Sequence, residues 1–169
     1  ALDYADIFLL GWHNKAPSLR LIDRALDMKA RGMVHFIGMT GHNRRLFPQM
    51  ASRDVFDLFH IRYNAAHRGA ETEAFPHLGN AGVVSYTATR WGHLLNPKKM
   101  PAGEAPPSST DCYRFVLSHP SIDVCLCGPG NMDQMTTALQ TLDSGPMTDA
   151  ELNRMRAIGN HVHRHRSFF

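Results

Sequence analysis

Five polar clusters hold the side chains best suited to chemistry, and each follows an apolar run. They are Gly11-Trp12-His13, Thr40-Gly41-His42-Asn43, His60 with Tyr63-Asn64, Tyr86-Thr87, and Gly128-Pro129-Gly130-Asn131. The imidazoles of His13 and His60 hold or move a proton near neutral pH. Tyr86 and Trp12 offer flat apolar faces with a polar tip. The Thr40 hydroxyl donates one hydrogen bond and accepts others. Gly128 and Gly130 bracket a turn into a helix, whose first-turn N–H groups suit an anion such as a phosphate.

Other constellations carry less. In "HVHRHR", His161 to Arg166, His161 and His165 stand four apart on one helix face, a spacing that two metal ligands can use. No glutamate stands between them and no third ligand is marked, and basic residues near a helix end are favoured by the helix dipole alone. No metal site is expected. Cys125 and Cys127 alternate onto one face of an apolar run and read as small hydrophobes of a buried strand.

The elements that must position the clusters alternate. Asp6–Leu10, Val34–Met39, Val55–Tyr63, Gly82–Ala88 and Ser121–Gly128 read as strands, the first as one buried on both faces. Ser18 is a cap for a helix with Leu19, Ile22, Ala25 and Leu26 on one face, stopping near Gly32. Asn43 is a candidate cap for a short segment made awkward by Pro48. A short helix is expected around Thr72–Leu78, then a long Pro- and Gly-rich loop from Thr89 to Ser109, then a helix over Asp111–Ser118. Met132, Met135, Leu139 and Leu142 recur at helical spacing and are expected in the core. Thr148 and Glu151 form a capping box for a last helix with Leu152, Met155, Ile158 and Val162 on one face.

Short apolar strands joined by connections long enough for crossovers imply a parallel sheet covered by helices. An open doubly wound sheet and an arc of an eight-stranded barrel both satisfy the pattern, and both bind ligands at the carboxyl ends of their strands. All five clusters lie at such ends.

The chain has 169 residues with 43% hydrophobic and 20% charged content, enough for one globular domain spanning 1–169. A net charge of +3 without a basic run argues against nucleic acid as a partner. Three cysteines without regular spacing suit a reducing, cytoplasmic setting. No run approaches the roughly 20 apolar residues of a membrane span, and no secretory leader is expected. The start at Ala1, one short turn before a strand, is expected to lie inside a larger design.

The strand ends resemble those of the aldo/keto reductase family over nearly the whole chain. "DYADIFLLGWH" resembles "D-Y-x-D-L-x-x-x-H", "RGMVHFIGMTGHN" resembles "G-x-x-R-x-x-G-V-S-N/G-H", and "FDLFHIRYN" is similar to "x-D-x-x-Q-x-x-Y-N". "GVVSYTATRWGHLL" resembles "G-V-x-x-Y-S-P-L-x-x-G-x-L", and "VCLCGPGNMDQM" resembles the last strand and its phosphate-and-adenine loop, "x-I-x-G-x-x-x-x-E-Q-L". Five such motifs in order are far more specific than any one of them.

The resemblance implies a partial (β/α)8 TIM barrel of the α/β class. Its five parallel strands would be strands four to eight, with covering helices and a C-terminal helix. It implies an NAD(P)-dependent oxidoreductase acting on a small carbonyl substrate, with NADP or NAD as cofactor. No segment matches the strands that bring the family's catalytic Asp, Tyr and Lys, so the chain alone is expected to be inactive. Gly11 falls where the family carries its catalytic His. His13, two residues on, shares a strand face with it but lies roughly 6–7 Å further along, too far to substitute unless the turn folds back. Trp12 falls near the substrate pocket. Thr40 and Gly41 fall on the Ser-Asn pair that holds the nicotinamide carboxamide, and His60 on the family's Gln. Tyr86 falls where the family stacks the nicotinamide, with Thr87 beside it. Gly128, Gly130 and Gln134 fall on the phosphate and adenosine end. Five strands of a barrel also leave two open edges, so the alternative is a non-catalytic assembly module that self-associates or pairs with a partner.

Overall fold

The computed structural model describes residues 3–165 and arranges five strands in one sheet in the order β1-β2-β3-β4-β5, with helices between them. The strands are β1 (Ala5–Trp12), β2 (Val34–Gly41), β3 (Leu58–Arg62), β4 (Gly82–Tyr86) and β5 (Val124–Cys125). The helices are α1 (Leu19–Ala30), α2 (Leu46–Ala51), α3 (Ala70–Glu73), α4 (Ser109–Leu117), α5 (Met132–Ser144) and α6 (Asp149–Arg164). The chain divides into two compact units, one of Ala1–Ile61 with Gly69–Val84 and one of Arg62–Arg68 with Ser85–Phe169.

In the first unit β1 pairs parallel with β2 and β2 with β3. The helix-facing side chains Ile37, Met39, Phe59 and Ile61 are fully buried with Phe47 of α2. On the other sheet face Leu9 and Leu58 flank Gly38 in register and close over it, leaving a Cβ there only 3.0 Å from Leu58 Cγ. Asp57 locks the amino end of the sheet. Its carboxylate takes 2.8 and 2.6 Å bonds from Lys29 Nζ and a 2.8 Å bond from the Ile37 N–H, and its carbonyl accepts from Gly82 N at 2.9 Å.

The second unit is built on Tyr63, which is buried, stacked on Phe115 at 5.8 Å and met edge-on by His119. Gly159 lets α6 lie against the Ala65 carbonyl, where a Cβ would overlap the oxygen. Arg114 joins α4 to α6 through 2.7 and 3.2 Å bonds to the Glu151 carboxylate. Met155, Ile158 and Val162 of α6 are buried as their spacing predicts, and the Thr148–Glu151 capping box forms.

Five expectations fail here for physical reasons. β1 is not buried on both faces: it ends the sheet, and Ile7 is half exposed. β5 is two residues long, Cys127 is exposed, and Cys125 is half-buried, so the pair does not line a buried strand. Asn43 does not cap α2; it donates to the Asn14 carbonyl at 3.2 Å, and no side chain caps that helix. The apolar stripe of α5 faces outward. Met132 is 77% and Leu142 75% exposed, while Ala138 and Thr141 are the buried residues. In α1, likewise, Ile22 and Ala25 face in and Leu19 faces out.

Candidate functional site

The first unit carries Gly11, Trp12, His13, Thr40, Gly41 and His60. The register of β1 against β2 passes from Leu9↔Gly38 to Trp12↔Thr40, so β1 holds one extra residue in a bulge before its end. Gly11 sits in that bulge at φ +89°, a conformation that side-chain-bearing residues avoid. A Cβ there meets nothing within 4 Å, so the backbone conformation, not lack of room, favours glycine.

Beyond the bulge the turn folds back. His13 donates its backbone N–H to the Thr40 carbonyl at 2.8 Å, and its Nε2 lies 3.2 Å from the Leu10 carbonyl of its own strand. The same turn brings the His13 carbonyl oxygen against Gly41, where a Cβ would overlap it. Asn14 fastens the two strand-end loops, its Oδ1 accepting from His42 N at 2.8 Å and Asn43 N at 3.0 Å. Trp12 is 58% exposed and meets His42 edge-on at 5.5 Å.

Thr40 and His60 pair in register at the ends of β2 and β3, and Thr40 Oγ1 donates to the His60 carbonyl at 3.1 Å. That bond commits the Thr40 proton and leaves its oxygen as an acceptor. Burial lowers the His60 pKa below its ordinary value, so the ring is neutral at pH 7 and offers one donor and one acceptor nitrogen.

The second unit carries Tyr86, Thr87, Gly128, Gly130 and Gln134. Tyr86 is half-buried at the end of β4. Thr87 follows it at φ +61°, rare for a β-branched residue and costing about 1–3 kcal/mol. Asn64, fully buried, holds it there by donating Nδ2–H to the Thr87 carbonyl at 2.9 Å, while Asn64 Oδ1 accepts from Ala66 N at 3.0 Å. Asn64 was visible in the sequence only as the polar residue after an apolar run. Its role as a clamp on Thr87 is set by a contact across 23 residues.

At the start of α5, Asn131 Oδ1 caps the Gln134 N–H at 2.9 Å. Gln134 Oε1 in turn accepts from Gly130 N at 2.8 Å. Two donors of the glycine turn are therefore satisfied internally. Neither Gly128 nor Gly130 has a positive φ.

His161 and His165 stack at 4.1 Å between centroids, and Arg166 of the same run lies outside the described residues. Among the described residues no three His, Cys, Asp or Glu side chains gather as they would around a metal ion. No described helix is long and apolar enough to cross a membrane.

No family model matches the chain, and no curated protein does. Solved structures do. It is similar to aldo-keto reductase AKR11C1 from Bacillus halodurans in its holo form, with a TM-score of 0.76 at 17% identity over 92% of this chain. It is similar to the apo form of that protein with a TM-score of 0.77 at 17% identity over 92% of this chain. The fold is that of an aldo-keto reductase. This likeness favours the arc of an α/β barrel over the open doubly wound sheet, and the five parallel strands match such a partial barrel. The chain spans 61% and 62% of the two solved chains, less than two thirds of the aldo-keto reductase length.

Proposed function

We propose that this chain is the nicotinamide-binding portion of an oxidoreductase of the aldo-keto reductase type, that it uses NADP or NAD, and that it is inactive toward carbonyl substrates alone. The observation that carries the reading is the Thr40–His60 pair at adjoining strand ends. It sets a hydroxyl acceptor beside a neutral imidazole, a donor and acceptor set that fits a primary carboxamide. Gly41 adds no side chain to that set. Tyr86 would give the nicotinamide ring a flat face. Gln134 and Gly130, already bonded to each other, would have to part for the adenosine end.

When bound, the nicotinamide supplies the hydride. The chain's own share is to hold the carboxamide by Thr40 and His60 and to keep the His60 ring uncharged. Proton donation is what it lacks: Gly11 has no side chain, and His13 is turned back on the Leu10 carbonyl. The reading places the protein in a reducing, cytoplasmic setting, in keeping with its free cysteines.

The test is nuclear magnetic resonance of the His60 ring while nicotinamide mononucleotide is added. The His60 signals are expected to shift saturably in the parent chain, and Thr40→Val is expected to weaken the effect. Unmoved His60 signals would sink the reading.

The exposed α5 stripe, with Val124 and Leu126 exposed at β5, favours a second reading as an assembly module. Sedimentation decides it. A Leu139→Glu/Leu142→Glu chain is expected to be less associated than the parent, and a parent that is monomeric at all concentrations would exclude it.

A further inference from the structure

Helix α5 turns two of its hydroxyls back on itself. Thr137 Oγ1 donates to the Asp133 carbonyl at 2.9 Å, and Ser144 Oγ donates to the Gln140 carbonyl at 2.8 Å. The same bond from Thr141 would need the Thr137 carbonyl, four residues back. That oxygen already serves the helix ladder and takes a 2.7 Å bond from Thr110 Oγ1 of α4, so both of its lone pairs are in use. Thr141 is 7% exposed, and its Oγ1 is buried with no hydrogen-bond partner. A buried hydroxyl left unpaired is costly, and native structures hold few.

Thr141 lies in the wall of a pocket of about 160 Å3 between α4, α5 and β5. Tyr113 and Leu117 of α4, Cys125 of β5, and Leu139 and Leu142 of α5 line it with Thr141. All of them belong to the second unit. No lining residue is Asp, Glu, Lys, Arg or His. Burial pushes the Cys125 thiol up to about 12 and raises the Tyr113 phenol, so both are uncharged at neutral pH.

An apolar cavity of about 150 Å3 takes up one benzene ring and otherwise stays dry. An ordered water needs about two to four polar partners, and one buried hydroxyl among leucine and cysteine walls supplies too few. A charged ligand would give up its hydration with no opposite charge to meet it. A neutral ring with a single hydroxyl gives up little water and brings Thr141 the partner that it lacks.

We propose that α4, α5 and β5 form a binding site for a small neutral phenol, with its ring against Leu139 and Leu142 and its hydroxyl on Thr141. A helical Thr has two side-chain rotamers open to it, and a turn between them brings the hydroxyl to the occupant. The site shares no residue with the strand-end set and does not depend on the nicotinamide reading. It also gives Leu139 and Leu142, exposed on the outward stripe of α5, apolar surface to cover.

The test uses the full chain, with phenol and toluene as probes, which are alike in size and differ in the hydroxyl. Methyl signals of Leu117, Leu139, Leu142 and Thr141 are followed by nuclear magnetic resonance during each titration. Phenol is expected to shift them saturably at about millimolar concentration, as a ligand of so few atoms allows, and to show a nuclear Overhauser contact with the Thr141 methyl. Thr141→Val, which keeps the shape and removes the hydroxyl, is expected to weaken phenol about tenfold and to leave toluene no weaker. Thr141→Ser, which restores a hydroxyl, is expected to bind phenol as the parent does. Unmoved methyl signals, shifts without saturation, or a Thr141→Val chain that binds phenol like its parent would each overturn the proposal. If the variants fail to fold, the contact between phenol and the Thr141 methyl in the parent decides the matter, and its absence would overturn the proposal.

Discussion

The carbonyl oxygen of His13 occupies the space that a Cβ on Gly41 would need. This close approach accounts for a glycine at the position that the family resemblance pairs with Thr40. The bulge at Gly11 and the folded-back turn push the end of β1 over β2, and only a residue without a side chain fits below. Gly41→Asn, which installs the amide that the family resemblance implies, is therefore expected to destabilise the chain by about 2 kcal/mol through overpacking. It is not expected to tighten nicotinamide binding. Urea denaturation gives the first quantity and a nucleotide titration the second.

Gly11→His is expected to cost about 1–2 kcal/mol, because the bulge holds this residue at φ +89° where a side chain is disfavoured. Space for the ring is present, so the loss is conformational. No carbonyl reduction is expected to appear. Thermal unfolding and an NADPH-oxidation assay on the variant check the two statements.

Asn64→Ala is expected to destabilise the second unit by about 2–3 kcal/mol, since it strands the buried Thr87 carbonyl and the Ala66 N–H. Asn64→Asp keeps the acceptor for Ala66 but sets a buried carboxylate oxygen against the Thr87 carbonyl, so its loss is expected to be at least as large. Hydrogen exchange at Thr87 to Gly92 is expected to speed up in both variants, because the clamp on Thr87 is gone.

Acid sensitivity is expected from Glu151. Its hydrogen bond from Arg114, with bonds from the Thr148 backbone and hydroxyl, holds its carboxyl down at about 2, against an ordinary 4.5. A depressed carboxyl contributes stability that is whole above the ordinary value and is lost as pH falls toward the folded one. The parent is therefore expected to lose stability between about pH 5 and about pH 3 more steeply than Glu151→Gln. Urea midpoints at the two pH values make the comparison.

Much of this arrangement was legible in the sequence because strand ends announce themselves: an apolar run stops and polar, imidazole and aromatic residues follow. The Ser18 cap and the Thr148–Glu151 box were legible because their bonds are local. The α5 register was not. Thr110 of α4 donates to the Thr137 carbonyl at 2.7 Å, so α4 lies close to the α5 backbone. That approach selects the face with the small residues Ala138 and Thr141 and leaves the Met and Leu stripe outside. Periodicity finds an apolar stripe but does not say which neighbour needs it. The Gly11 bulge and the Gly41 contact depend on register and on a turn folding back onto the sheet, and no spacing records them.

The central claim is that a nicotinamide-binding surface persists here without proton-donating machinery. Titration of the full chain with NADPH and NADH, followed by nicotinamide fluorescence in the presence and absence of a carbonyl substrate, tests it most directly. The account predicts micromolar binding of at least one nucleotide, weakened at least about tenfold by His60→Ala, with no substrate-dependent oxidation. Absence of binding at millimolar nucleotide, or sustained carbonyl reduction by the chain alone, would contradict it.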